Sequence, residues 1–94
     1  MRRVAAVLNA RAGAVTAPRI AAVRAALGPA AWVTHDLDEA AAAYDAIAAG
    51  GFDVVCTGGG DGTFVHAVAA LRARGVAPIV FGLRLGSGNA IADV

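Results

Sequence analysis

The sequence predicts a doubly wound α/β fold, a three-layer sandwich with a mostly parallel sheet. Four short segments are apolar on both faces, which is typical of strands buried on both sides of a parallel sheet. A segment with a helical pattern separates each of them from the next, so strands and helices alternate along the chain. Glycine or proline marks the ends of the predicted helices.

We predict strands over residues 4–8, 31–34, 52–57 and 78–81. The first of them follows Arg2 and Arg3, and a basic start before an apolar run is also found in secretion signals. Here Asn9 and Arg11 interrupt the run too early for a signal. A buried first strand is therefore the better interpretation.

The first two helices are predicted from their apolar spacing and their ends. The apolar face of the first helix consists of Ile20, Val23 and Leu27. Gly28-Pro29 ends this helix. The apolar stripe of the second consists of Leu37, Ala41, Tyr44, Ile47 and Ala48. Asp36 is placed as its N-cap, and Gly50-Gly51 ends it.

A third helix is predicted to begin at about Thr63 and to end at Gly75. Its apolar face consists of Phe64, Val68 and Leu71. In doubly wound folds, ligands bind beyond the carboxyl ends of the strands. The four segments that leave those ends are polar or rich in glycine, and they cover residues 9–13, 34–36, 58–63 and 82–89.

Composition excludes several classes of function. Eight basic and seven acidic residues are spread along the chain, without the basic stripe that nucleic-acid binding requires. No apolar run reaches the roughly 18 to 20 residues of a membrane span. All the basic residues are arginines, so the lysine of a Walker A loop or of a protein kinase is absent. Cys56 is the single cysteine, which excludes an internal disulfide and a cysteine-rich metal site.

The glycine loop, residues 57–63, carries the strongest indication of function. Four glycines, at positions 58, 59, 60 and 62, lie between a buried strand and a helix. Without Cβ atoms they let backbone N–H groups approach an anion, and the positive end of the helix dipole faces the same place. This arrangement predicts a phosphate site.

Asp61 is the one carboxylate of the glycine loop. Next to a polyphosphate it would be repelled unless a cation such as Mg²⁺ lay between them. The alternative is that Asp61 only caps the third helix. A dinucleotide fingerprint is disfavoured, because neither Gly58-x-Gly60 nor Gly86-x-Gly88 has a third glycine three residues later.

Two motifs together resemble the catalytic domain of the diacylglycerol kinase and sphingosine kinase family. They are the glycine loop and the segment Leu85-Gly86-Ser87-Gly88-Asn89, where Ser87 replaces the usual threonine. Residues 9–13 resemble the family's first nucleotide loop, asparagine-proline-x-serine-glycine, with alanine in place of proline and serine. Thr34, followed by Glu39-Ala40, matches the threonine that ends the family's second strand. The resemblance covers almost the whole chain.

The resemblance implies a bacterial-type lipid kinase that transfers the γ-phosphoryl of ATP to a lipid hydroxyl, of diacylglycerol or of a sphingoid base. ATP and Mg²⁺ are the implied cofactors. Nucleotide contacts are expected from Asn9, Gly13 and Thr34 at the nucleoside, from Gly59, Gly60, Asp61, Gly62 and Thr63 at the phosphates, and from Ser87 nearby. Asp61 is the expected metal-supporting residue. NAD kinases share the GGDGT loop and a similar fold, so NAD kinase is one alternative.

The family's catalytic base is an aspartate of a second, β-rich domain. We therefore expect residues 1–94 to be the nucleotide-binding N-terminal domain of a lipid kinase, with that second domain absent and the catalytic residue unidentified. A catalytically silent nucleotide-binding remnant is the other alternative. A cytoplasmic protein that visits the membrane surface for its lipid is expected.

Two histidines complete the predictions. His66 lies off the apolar stripe of the third helix, where many family members have glutamate, and it is expected either to be solvated or to touch substrate. His35 is expected on the surface without a partner.

Overall fold

The computed structural model describes residues 2–83. In chain order the elements are β1 (Val4–Asn9), α1 (Ala17–Leu27), a 3₁₀ turn (Gly28–Ala30), β2 (Ala31–Thr34), α2 (Leu37–Gly50), β3 (Val54–Gly58), α3 (Asp61–Ala73) and β4 (Ile79–Gly82). Strands and helices alternate as predicted, and the α/β class is confirmed.

The four strands form one sheet in the order β2-β1-β3-β4, and every pair is parallel. In the centre, Val7 of β1 lies opposite Trp32 of β2 on one side and Thr57 of β3 on the other. From β1 the chain turns outward to β2, whereas from β3 it turns in the opposite direction to β4. The carboxyl ends of β1 and β3 therefore mark the switch point of the sheet, where such folds bind ligands.

Helices lie on both faces of the sheet and bury two separate clusters of side chains. The edge strand β4 departs from the predicted burial on both faces, because Ile79 is 57% and Phe81 39% exposed. On one face, α2 and α3 pack Tyr44 and Leu71 against Val7 and Val55 of the central strands. On the other face, α1 packs Val23 against the central strand β1. Burying one of the larger apolar side chains contributes about 1.5–3 kcal/mol to stability, and this burial holds the three layers together.

The ends of α2 follow the sequence rules on which their prediction rested. Asp36 has an extended backbone, and its Oδ1 accepts a hydrogen bond of 2.8 Å from the Glu39 N–H, so its role as N-cap is confirmed. At the other end, Gly51 adopts the left-handed conformation at φ 69°, which glycine tolerates without strain. Gly28 ends α1 with a positive φ of 60° as well, but its ψ of −132° lies outside the left-handed helical region.

The predicted apolar stripe of α2 is partly wrong. The face that meets the sheet consists of Ala40, Ala43, Tyr44 and Ile47. Leu37 is 74% exposed because it lies in the first turn, at the carboxyl edge of the sheet, and Ala41 is exposed beside the buried face. In a helix with this many alanines, the periodicity leaves the rotation about the axis poorly defined.

The other differences are small. α3 begins at Asp61, two residues before the predicted start at Thr63, and its fully buried residues are Ala67, Ala70 and Leu71 rather than the predicted Phe64 and Val68, which are half-buried. No helix within residues 2–83 is both long and apolar enough to cross a bilayer.

Candidate functional site

A cleft of about 750 Å³ opens at the carboxyl edge of the sheet, between the first turns of α2 and α3. Its wall is built from the ends of β1 and β2, the loop after β3 and the two helices. Five of the predicted site residues line it together: Asn9, Thr34, Gly59, Gly62 and Thr63. These residues come from three separate parts of the sequence, and the parallel sheet brings them to one place.

Other predicted site residues lie elsewhere. Gly60 and Asp61 are exposed and do not line the cleft, although Gly59 and Gly62 on either side of them do. Gly13 is exposed and also does not line it. Ser87, with its segment 85–89, lies outside the residues that the structure describes.

The glycine loop meets the end of β1 at the switch point. Gly59 has φ +144°, and a Cβ atom there would come within 2.6 Å of Thr63 Oγ1 and 2.9 Å of Asn9 Cβ. No larger residue fits without moving one of these neighbours. The Asn9 side-chain amide donates a hydrogen bond of 3.4 Å to Thr63 Oγ1, and Asn9 Oδ1 accepts one of 3.0 Å from the Arg11 N–H. One side chain thus connects the first loop to α3.

The N-terminus of α3 has no side-chain cap. Its N-cap is Gly60, at φ 94°, and Asp61 is the first residue of the helix rather than the cap. Within residues 2–83, no hydrogen bond satisfies the N–H groups of the first three helical residues, and none reaches the Asp61 carboxylate. Among residues 2–83, both the donors and the carboxylate are therefore open to a bound molecule.

The N-terminus of α2, at the other end of the cleft, is already satisfied. Asp36 caps it, and Asp38 and Glu39 place two further carboxylates in its first turn. Glu39 also accepts hydrogen bonds from the His35 N–H at 2.7 Å and pairs with His35 Nδ1 at 2.9 Å. His35 lies on the surface as predicted, but the prediction that it has no partner is wrong.

The floor of the cleft is apolar and aromatic. Tyr44 is 1% exposed, and its ring meets that of His66 edge to face with 5.6 Å between centroids. Burial raises the pKa of the Tyr44 hydroxyl, while the Arg74 guanidinium opposes part of this rise. Beside them Thr34 Oγ1 donates to the Leu8 carbonyl at 3.5 Å, so its methyl and hydroxyl are held in place at the end of β2.

Sequence reasoning gave no site role to Arg11, Asp38 and Tyr44, which line the cleft. The same holds for Val7, His35, Asp36, Leu37 and Ala40 of the lining. Arg11 could have been found, because it lies in the loop that follows the central strand. Tyr44 was assigned only to the core, and its second role depends on how α2 is rotated. His66 is exposed, which is one of its two expectations, and it lines the same wall.

A protein-only metal centre is not present in the described part of the chain, where no three His, Cys, Asp or Glu side chains come together. The predicted metal residue Asp61 offers a single carboxylate. This fits Mg²⁺, which keeps several waters and commonly takes one or two carboxylates together with phosphate oxygens.

Comparison with protein families identifies a match for this chain. The family described as diacylglycerol kinase catalytic domain matches residues 3–94, almost the whole chain. No curated protein and no solved structure matches the chain.

Proposed function

The chain belongs to the diacylglycerol kinase catalytic domain family, and on that premise we propose that it is the nucleotide-binding module of a lipid kinase. In this proposal ATP binds in the cleft at the carboxyl edge of the sheet. Its γ-phosphoryl passes to the hydroxyl of a lipid, of the diacylglycerol or sphingoid-base type. Family membership favours a lipid acceptor over NAD.

One observation carries the proposal: Asn9, Thr34 and the pair Gly59 and Thr63 line a single cleft although they come from three distant parts of the sequence. The open N–H groups at the start of α3 are suited to phosphate oxygens, and the dipole of that helix adds roughly 0.3–1 kcal/mol. The apolar floor at Val7, Ala40 and Tyr44 is suited to the nucleoside.

Asp61 is the residue that would support Mg²⁺. Its carboxylate is exposed in the first turn of α3, next to Gly62 of the cleft wall. An ion held by this carboxylate would supply positive charge that offsets the negative charge of the phosphates. The chain's own part is to hold the carboxylate beside the N–H donors.

We further propose that the lipid pocket and the catalytic base are contributed by a second, β-rich domain, as the resemblance implies. The protein would then bind peripherally at the membrane during turnover.

A labelled-phosphate assay with the full-length protein tests the proposal. The protein is incubated with Mg²⁺, γ-labelled ATP and vesicles containing diacylglycerol or sphingosine, and in parallel with NAD. We expect label in the lipid, lost in Asp61→Asn and kept in Asp45→Asn, whose carboxylate is exposed on α2 and does not line the cleft. Label in NAD instead would assign an NAD kinase, and ATP binding without transfer would assign a silent remnant.

A further inference from the structure

We propose that Arg11 is a phosphate-binding residue of the cleft and takes the place that lysine holds in many other phosphate-transfer sites. The inference rests on the proposed function, because it assumes that a nucleotide occupies this cleft. It adds a residue for which neither composition nor the matched motifs gave a role.

Among the described residues, positive charge near the cleft is scarce. The chain contains no lysine, so arginine side chains are its only permanent cations apart from the N-terminus. Among the arginines in residues 2–83, Arg11 alone lines the cleft. Several others are engaged elsewhere: Arg3 stacks 4.7 Å from the centre of the Phe52 ring, and Arg74 pairs with Asp45 at 2.7 Å.

Hydrogen bonds hold the backbone at Arg11 in place. Asn9 Oδ1 accepts a hydrogen bond from the Arg11 N–H at 3.0 Å, and the neighbouring Ala10 N–H donates to the Thr34 carbonyl at 2.8 Å. The Ala12 N–H donates to the Asn9 carbonyl at 3.1 Å. The loop is therefore anchored to the ends of both β1 and β2, while the Arg11 side chain is exposed and bonds to no other described residue.

The two helix N-termini at the cleft differ in whether side chains of the protein already occupy them. Asp36, Asp38 and Glu39 fill the positive end of α2 with the chain's own carboxylates. The end of α3 has no side-chain cap, so an incoming anion is directed there. Asn9 contacts Thr63 in that first turn and also holds Arg11, which puts the arginine backbone at the same end as the open donors.

A guanidinium fits this place better than an ammonium would. Its planar fork of N–H groups binds two oxygens of one phosphate at once, and its charge does not depend on pH in the working range. Hydrogen bonds to charged groups contribute roughly 1.5–3 kcal/mol, which corresponds to about a ten-fold or larger change in affinity.

The test compares Arg11→Gln with Arg24→Gln. Arg24 is exposed in the last turn of α1 and does not line the cleft, so the control makes the same change of charge elsewhere. Affinities for ATP with Mg²⁺ and for adenosine are measured from amide chemical shifts, which report even millimolar binding. We expect Arg11→Gln to weaken ATP binding about ten-fold and to leave adenosine binding unchanged, while Arg24→Gln behaves as wild type.

Two results would overturn the inference alone. One is equal ATP affinity in the two variants, and the other is a loss for adenosine as large as that for ATP, which would indicate a distorted loop. If the wild-type protein binds neither ATP nor adenosine, the proposed function itself fails, and that outcome is distinct from both.

Discussion

The side-chain amide of Asn9 donates a 3.4 Å hydrogen bond to the hydroxyl of Thr63. This contact joins the end of the central strand β1 to the first turn of α3. It lies at the switch point of the sheet, where the order of the strands reverses. Gly59 lies directly between the two, and a Cβ atom there would be 2.9 Å from one residue and 2.6 Å from the other. The shape of the cleft therefore depends on the close approach of Asn9, Gly59 and Thr63 to one another.

Replacing Gly59 by alanine should destabilise the protein. The new Cβ atom would collide with Asn9 and Thr63, and alanine is strained at φ +144°. We expect a loss of about 1–3 kcal/mol in the free energy of unfolding, measured by urea denaturation. Gly62→Ala is the matched control, since nothing lies within 4 Å of its Cβ position and it lies in a helix, where alanine is favoured. Equal stability of the two variants would contradict the close approach.

Two buried threonines should respond in opposite ways to replacement by valine. Thr57 Oγ1 is buried without a hydrogen-bond partner in the described residues, whereas Thr34 Oγ1 donates to the Leu8 carbonyl. Thr57→Val should be neutral or stabilising, and Thr34→Val should cost about 1 kcal/mol. Urea denaturation of both variants checks this, and a larger loss for Thr57→Val would mean that its hydroxyl has a partner.

Stability should fall at alkaline pH. Burial raises the pKa of Tyr44 above its ordinary value of 10.0 and that of Cys56 above 9.0. The folded state, with the higher pKa, holds the proton more tightly than the unfolded state. The contribution of each protonated group to the free energy of unfolding is therefore fully present below the unfolded pKa and is lost as pH rises through the folded pKa. The melting temperature should thus decline from about pH 9 upward.

Tyr44 is the only tyrosine, so its ionisation can be followed directly by ultraviolet absorbance. In folded protein the midpoint should lie above 10.0, and in concentrated urea it should return towards that value. Tyr44→Phe should reduce the alkaline loss of stability, leaving the part due to Cys56. Identical titration curves in the two states would show that Tyr44 is solvated.

Much of the fold follows from local rules in the sequence. Asp36 and Gly51 mark the ends of α2 because an N-cap carboxylate and a left-handed glycine satisfy the helix termini. The strand at 31–34 was predicted to the residue, since it is a short apolar run between a Gly-Pro pair and the N-cap of α2. The rotation of α2 was not predictable to the same degree, because alanine on every side gives little contrast between faces.

The convergence of candidate site residues was predictable where it depends on strand ends. Asn9, Thr34 and Gly59 come together because parallel strands end at one edge. The adjacency of β1 and β3, on which the contact between Asn9 and Thr63 depends, is a property of strand order. The sequence carries no local signal for that order. The cleft wall at Tyr44 and His66 likewise depends on how α2 and α3 pack against each other.

The most direct test of the account is a titration of ATP with Mg²⁺ into the folded protein, followed by the backbone amide resonances. We expect the largest shifts at residues 59–63, together with the Asn9 side-chain amide, and little change at the opposite edge of the sheet around Phe52. Resonances of residues 59–63 that do not move at saturating nucleotide would contradict the claim that the α3 N-terminus binds the phosphates.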